Sequence, residues 1–124
     1  MSPYSLAASQ VIMTAEASRR FGLTARALRY YEERGLLEVA RDWQNRRCYD
    51  EPAQRRLAWI AALRQARLPL RDIEDVLIAE TREGRGADIA DAKLADLAES
   101  YSALLKRTED ARSSISRHRA PMAA

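Results

Sequence analysis

Apolar residues recur at helical spacing along most of this chain, and one stretch breaks the pattern. Ala17 and Phe21 stand at i, i+4, and Leu28 and Tyr31 at i, i+3. Ala53, Leu57, Ile60 and Leu63 form a third series, and Leu70, Ile73, Val76 and Leu77 a fourth. The punctuation between them agrees. Thr14 is placed to cap a short helix that Gly22 ends. Thr24 caps a second, over Ala25 to Arg34, that Gly35 ends. Asp50 caps a third, with Pro52 tolerated in its first turn, and Leu68-Pro69 separates it from a fourth. From Glu38 to Tyr49 the helical period fails. Val39, Trp43 and Tyr49 among polar and basic residues predict a small two-stranded β excursion with a loop near Asp42 to Asn45.

After Gly84-Arg85-Gly86 the pattern changes in kind. Ala87, Ala90, Leu94, Leu97, Tyr101, Leu104, Thr108, Ala111 and Ile115 follow alternating spacings of three and four without a slip. That is a coiled-coil seam of about four heptads. A helix of roughly 30 residues reaches ~45 Å at 1.5 Å per residue, too long to bury its stripe on so small a domain. The seam therefore predicts a dimer, with Leu94, Leu97, Tyr101, Leu104, Thr108, Ala111 and Ile115 at the contact. The alternative is an intramolecular helix folded over the third and fourth helices. The division that follows is a flexible segment 1–11, a helical domain 12–83 with its β excursion, a dimerisation helix 87–117 and a flexible tail 118–124.

Charge adds a direction. The net charge is only +3, but residues 12–71 hold 13 arginines against 7 acids, a surplus of six. Residues 72–124 hold 8 basic and 11 acidic side chains, a deficit of three. A basic front with an acidic rear suits a protein of which one part faces nucleic acid. The alternative is a solvated surface with chance clustering.

Other classes find little support. A single cysteine makes no internal disulfide and is too few for a zinc or iron–sulfur site. Cys48 reads as a small buried hydrophobe rather than a sensor. No apolar run approaches the ~18 residues of a spanning helix, and a reducing cytoplasm, in association with the nucleoid, is the expected location. No His/Cys/Asp cluster, glycine-rich phosphate loop or nucleophile elbow points to catalysis or to a cofactor.

The chemistry is concentrated between Gly22 and Tyr49. Thr24-Ala25-Arg26-Ala27-Leu28-Arg29-Tyr30-Tyr31-Glu32 packs two arginines and two tyrosines into one short helix, followed by Gly35-Leu36-Leu37. Placed after Arg19-Arg20-Phe21-Gly22-Leu23, it reads as the second helix of a helix-turn-helix. Arg26 can pair bidentately with guanine in a major groove, or hold a phosphate. Thr24 can cap and also donate to a phosphate. Arg46 and Arg47 are expected to clamp phosphates from the β excursion, with Asn45 and Tyr49 assisting. Arg19 and Arg20 are peripheral and could be simply solvated, with Arg20 counted at the edge of the DNA-binding set.

These residues, with Asn45-Arg46-Arg47-Cys48-Tyr49-Asp50, Leu57 to Arg64 and Leu70-Arg71-Asp72-Ile73, resemble the MerR family of transcriptional regulators. The resemblance runs from about Ile12 to Leu77, and the coiled coil extends it. It departs at Ala17 and Arg34, where larger apolar residues are usual, at Asn45-Arg46 in place of a glycine-tyrosine pair, and at Pro69. It implies a mainly α fold: a winged helix-turn-helix followed by a long C-terminal helix forming an antiparallel coiled-coil dimer. It implies that Arg29 and Tyr30 contact the DNA backbone. It also implies a homodimer on double-stranded DNA that bends and undertwists a promoter at an inverted repeat, with RNA polymerase as a further partner. The coil has no cysteines and little chain follows it, so no effector-binding domain is expected. Two other readings stay open: an architectural or excision-type accessory DNA-binding protein built on the same fold, and a coiled-coil adaptor that binds protein.

Overall fold

The computed structural model describes residues 11–122. The expected flexible lead-in, apart from Val11, and the last two residues of the expected tail lie outside them. The order is β1 (Ile12–Met13), α1 (Thr14–Phe21), α2 (Ala25–Glu33), β2 (Ala40–Arg41), β3 (Arg47–Tyr49), α3 (Glu51–Gln65), α4 (Leu70–Glu83) and α5 (Gly86–Arg117). Five helices and a small sheet match the mainly α, winged architecture expected. The sheet has three strands, not two. Its order is β1-β3-β2, antiparallel throughout, with Ile12 opposite Tyr49 and Ala40 opposite Cys48. The third strand, β1, is two residues long, too short to leave any alternation in the sequence.

Capping follows the sequence at Thr24, Asp50 and Gly22 and departs from it at Thr14. The Thr24 hydroxyl accepts from the Ala27 N–H at 3.0 Å, and the Asp50 carboxylate from the Ala53 N–H at 3.0 Å. Gly22 ends α1 in the left-handed region at φ +64°, as a residue without Cβ does freely. Thr14 is not a cap: it is the first helical residue, and Met13 before it makes no side-chain capping bond. Pairing of Met13 with Cys48 in the sheet fixes the entry instead.

The core gathers Ala17, Leu23, Leu28, Tyr31, Leu36, Leu37, Tyr49, Leu57, Ile60, Ile73, Val76 and Leu77 from all four short helices and the sheet. Leu70 does not join it. At 42% exposure it sits on the surface of the first turn of α4. Arg56 ties the layers together. Its Nε donates to the Leu36 carbonyl at 2.6 Å and its Nη2 to the Leu77 carbonyl at 3.4 Å. Burial pushes its pKa down from the ordinary arginine range, with Glu80 and Glu38 opposing.

The first half of α5 folds back on its own domain. Ile89, Ala90, Leu94 and Leu97 pack partly against the core, and Lys93 bridges to Asp72 at 2.8 Å and Asp75 at 3.5 Å. The Tyr101 hydroxyl donates to the Ala66 carbonyl at 3.0 Å. Within the single chain the seam is therefore partly covered at Ala90, Leu94 and Leu97. Gly86 permits the approach: a Cβ there would stand 2.6 Å from the Glu80 Cβ and 2.8 Å from the Trp59 ring. From Leu104 onward the seam is bare, with Leu104 at 52% and Ile115 at 73% exposure.

Candidate nucleic-acid interface

Helix α2 is anchored by one face and offers the other. Leu28 and Tyr31 are buried, Tyr31 edge-on to Tyr30 with ring centroids 5.6 Å apart. Burial pushes the Tyr31 hydroxyl pKa up, and the neighbouring Arg64 pulls the other way. Arg26 and Arg29, one turn apart at i, i+3, are exposed. Among the described residues neither guanidinium has an ion pair or a hydrogen bond. The surrounding cations differ. Arg19 and Arg20 pair with Glu16, and Arg20 also reaches Gln54 at 3.2 Å. Arg34 pairs with Glu74 at 3.0 Å and lies 5.9 Å over the Tyr30 ring. Its pKa is raised by that carboxylate.

The wing between β2 and β3 is built around Asp42. Its carboxylate accepts from the backbone N–H of Gln44 at 2.9 Å, the backbone N–H of Arg46 at 2.8 Å and the Arg46 Nε at 2.9 Å. Those bonds, the Arg46 amide first, hold the Asp42 pKa below the usual carboxylate range, partly opposed by desolvation. Asp42 N–H donates back to the Arg46 carbonyl at 2.9 Å, and Arg41 Nη1 to the Asn45 carbonyl at 3.0 Å. Asn45 closes the loop at φ +62°, a conformation asparagine tolerates better than most residues. Arg47 then crosses to α2, pairing with Glu32 at 2.7 Å, which raises its pKa. Wing and helix form one connected surface. Between the wing and the start of α1 lies a cleft of about 430 Å³ whose lining includes Thr14, Arg41, Asn45, Arg46 and Arg47.

Several sequence-expected residues have other occupations. Tyr49 is fully buried on β3, with no surface for a phosphate. The sequence could not separate the two outcomes, because an inward tyrosine and an outward one differ by a single residue of register. Among the described residues its hydroxyl has no partner. Tyr49→Phe is therefore expected to leave the melting temperature unchanged or raise it by the equivalent of about 1 kcal/mol, the order of cost of an unmade buried hydrogen bond. A drop in a thermal denaturation scan would refute the unpartnered hydroxyl. Tyr30 is half-buried, its hydroxyl donating to Glu74 at 3.1 Å. Asn45 serves the turn, and Arg46 is shared with Asp42.

Two residues went unnoticed in the sequence. Arg64 and Arg67 line an open groove of about 710 Å³ with Thr24, Arg26 and Tyr30, between the start of α2 and the α3–α4 turn. Arg67 holds φ +66°, donating its N–H to the Arg64 carbonyl. No local pattern links residues 38 and 41 positions from Arg26, so only the fold brings them together.

Comparison with known proteins fits this geometry. A family model described as MerR HTH family regulatory protein matches residues 12–80, more than half of the chain. The HTH-type transcriptional regulator CueR of Bacillus subtilis is 46% identical over 56 residues, covering 45% of this chain. The match spans only 39% of that relative. Among solved structures, HiNmlR, a MerR family regulator lacking the sensor domain and bound to promoter DNA, superposes with a TM-score of 0.61 at 24% identity. That match covers 82% of this chain and 80% of HiNmlR. A MerR family transcriptional regulator from Bacillus thuringiensis gives a TM-score of 0.65 at 20% identity, over 85% of this chain and 99% of that one.

Proposed function

The chain belongs to the MerR HTH family of regulatory proteins, and we propose that it acts as a homodimeric, sequence-specific regulator that binds promoter DNA at an inverted repeat. The observation that carries this reading is the pair Arg26 and Arg29. Two cations one turn apart on an exposed helix face, unneutralised where their neighbours are paired, supply the charge a phosphate backbone or a guanine edge needs. Thr24 at the helix start and the wing arginines extend that surface. HiNmlR, similar in fold, was solved on promoter DNA without a sensor domain, which supports the same partner here. Bending and undertwisting of a promoter with a wide spacer is the mode of action we assign, with RNA polymerase as the partner that reads the altered shape.

Dimerisation rests on α5. Beyond the residues packed on the domain, Leu104, Leu105 and Ile115 are exposed on the distal half of the helix. The helix is also polarised. Residues 86–101 carry Asp88, Asp91, Asp96 and Glu99 against Lys93, and residues 102–119 carry five basic side chains against Glu109 and Asp110. Antiparallel pairing sets each acidic half beside a basic half, whereas parallel pairing opposes like charges. Two-fold symmetry then presents two α2 helices to two half-sites.

The deciding experiment is selection of bound fragments from genomic DNA. A single inverted repeat between promoter elements supports the reading. Clustered sites away from promoters would indicate an architectural or accessory role, and no enrichment would overturn DNA binding altogether. Within bound complexes, Arg29→Ala is expected to weaken binding to all sequences and to lower the salt dependence by about one phosphate contact per subunit. A loss confined to one base position would make Arg29 a base reader instead.

Arg67 supplies a separate test. A non-glycine residue in the left-handed region costs about 1–2 kcal/mol, and such strain is retained where a side chain is needed. Arg67→Gly is expected to raise stability by about 1 kcal/mol or less, after glycine's own entropic cost, while weakening DNA binding. Equal affinity at equal salt would remove Arg67 from the interface.

A further inference from the structure

The most exposed large apolar side chain of the winged domain is Trp43, at the tip of the wing. It stands 88% exposed, about twice the exposure of Leu70 and Ile78, the domain's other exposed large apolar residues. An indole can bury about 150–250 Å², and here nearly all of it is left in water. The loop that carries it is well tied. Asp42, immediately before Trp43, accepts the amides of Gln44 and Arg46, and the Arg41 guanidinium holds the Asn45 carbonyl. A side chain on a loop held by so many bonds can be presented to a partner with little further ordering.

The surroundings are cationic. Along the chain Trp43 stands between Arg41 and the pair Arg46 and Arg47; Arg46 and Arg47 are paired with Asp42 and Glu32, whereas among the described residues Arg41 has no ion pair. This setting favours a polyanion with an apolar face over a purely apolar partner. Duplex DNA offers both, because its minor groove is walled by deoxyribose rings between two rows of phosphates. The placement relative to α2 fits. Arg47 of the wing pairs with Glu32 of α2, so a recognition helix in the major groove brings the wing over the flanking backbone and the adjacent minor groove.

We propose that Trp43 is a DNA-contacting residue that packs its indole against the sugar wall of the minor groove flanking each half-site, adding a non-ionic contact to the wing's arginines. This rests on the DNA-binding reading above. The contact reads groove shape rather than base edges, since an indole offers one donor and a large apolar face. It also gives each half-site of a two-fold dimer an apolar grip at its outer edge.

The test uses the full chain and a duplex recovered by the genomic selection. Trp43→Ala touches no buried contact and leaves the fold intact. Wild type and W43A are titrated over a series of salt concentrations. W43A is expected to bind about tenfold or more weakly, as loss of part of an indole's apolar burial implies, with an unchanged salt slope because no charge is lost. W43F is expected to recover part of the loss. In a Trp59→Phe background the emission of Trp43 alone is followed, and duplex binding is expected to shield it from acrylamide. Wild-type affinity in W43A, or an indole as open to quencher on DNA as off it, overturns the proposal while DNA binding stands. A changed salt slope in W43A assigns the loss to displaced arginines and overturns it too. Failure of wild type to bind any duplex overturns the DNA reading and this inference with it.

Discussion

Leu104→Asp combined with Ile115→Asp is expected to run at the mass of one subunit in light scattering and to bind its site about a hundredfold or more weakly, because two linked half-site contacts become independent ones. Both side chains are exposed in the single chain, at 52% and 73%, so the substitutions remove no contact within the fold. Placing four carboxylates in a paired seam buries charge without partners, which strongly destabilises association. The choice of positions matters. Leu97 also lies on the seam but packs partly against the chain's own core, so an aspartate there confounds folding with assembly. A double variant that keeps the mass of a dimer would place the interface elsewhere than the distal seam. A monomer that keeps full affinity would separate DNA binding from dimerisation.

The second large effect concerns the core. Leu57 on α3 is fully buried, in one cluster with Leu28 of α2 and Ile73 and Leu77 of α4. Leu57→Ala is expected to cost about 2–5 kcal/mol, the range for buried leucines that leave a cavity. For a domain of this size each kcal/mol moves the midpoint by about 4–8 °C, so the melting temperature should fall by ~10 °C or more. The comparison is made at one protein concentration, since an associating chain melts later when concentrated. A shift of a degree or two would mean that the inner face of α3 is not the centre of the core. Ala62 on the exposed side of the same helix is the control, and Ala62→Ser should move the midpoint little.

The regular elements were legible in the sequence because each is specified locally. Apolar positions at three and four, a Thr or Asp cap and a glycine or proline stop place α1 to α4 close to their observed bounds. The wing was legible as a failure of that period. The unpaired Arg26 and Arg29 could be placed on α2, and the spacing of Glu16 with Arg19 and Arg20 and of Asp42 with Arg46 is local. Nothing local told that Glu74 and Glu32 would neutralise Arg34 and Arg47. Strand β1 was not legible, since two residues define no alternation and their pairing partner lies across the fold.

What the sequence determined by itself is therefore the helices, their inner faces, the basic second helix and the heptad seam, all of which depend on residues within a few positions of one another. Tertiary structure decided matters that depend on distant partners. It buried Tyr49 on β3, bound Tyr30 to Glu74 and set Arg64 and Arg67 beside Arg26. It also split the uniform seam of α5, packing Ala90, Leu94 and Leu97 partly against the domain and leaving the second half bare. A repeat in the sequence states that a face is apolar; only the arrangement of neighbouring elements states what is near enough to cover it.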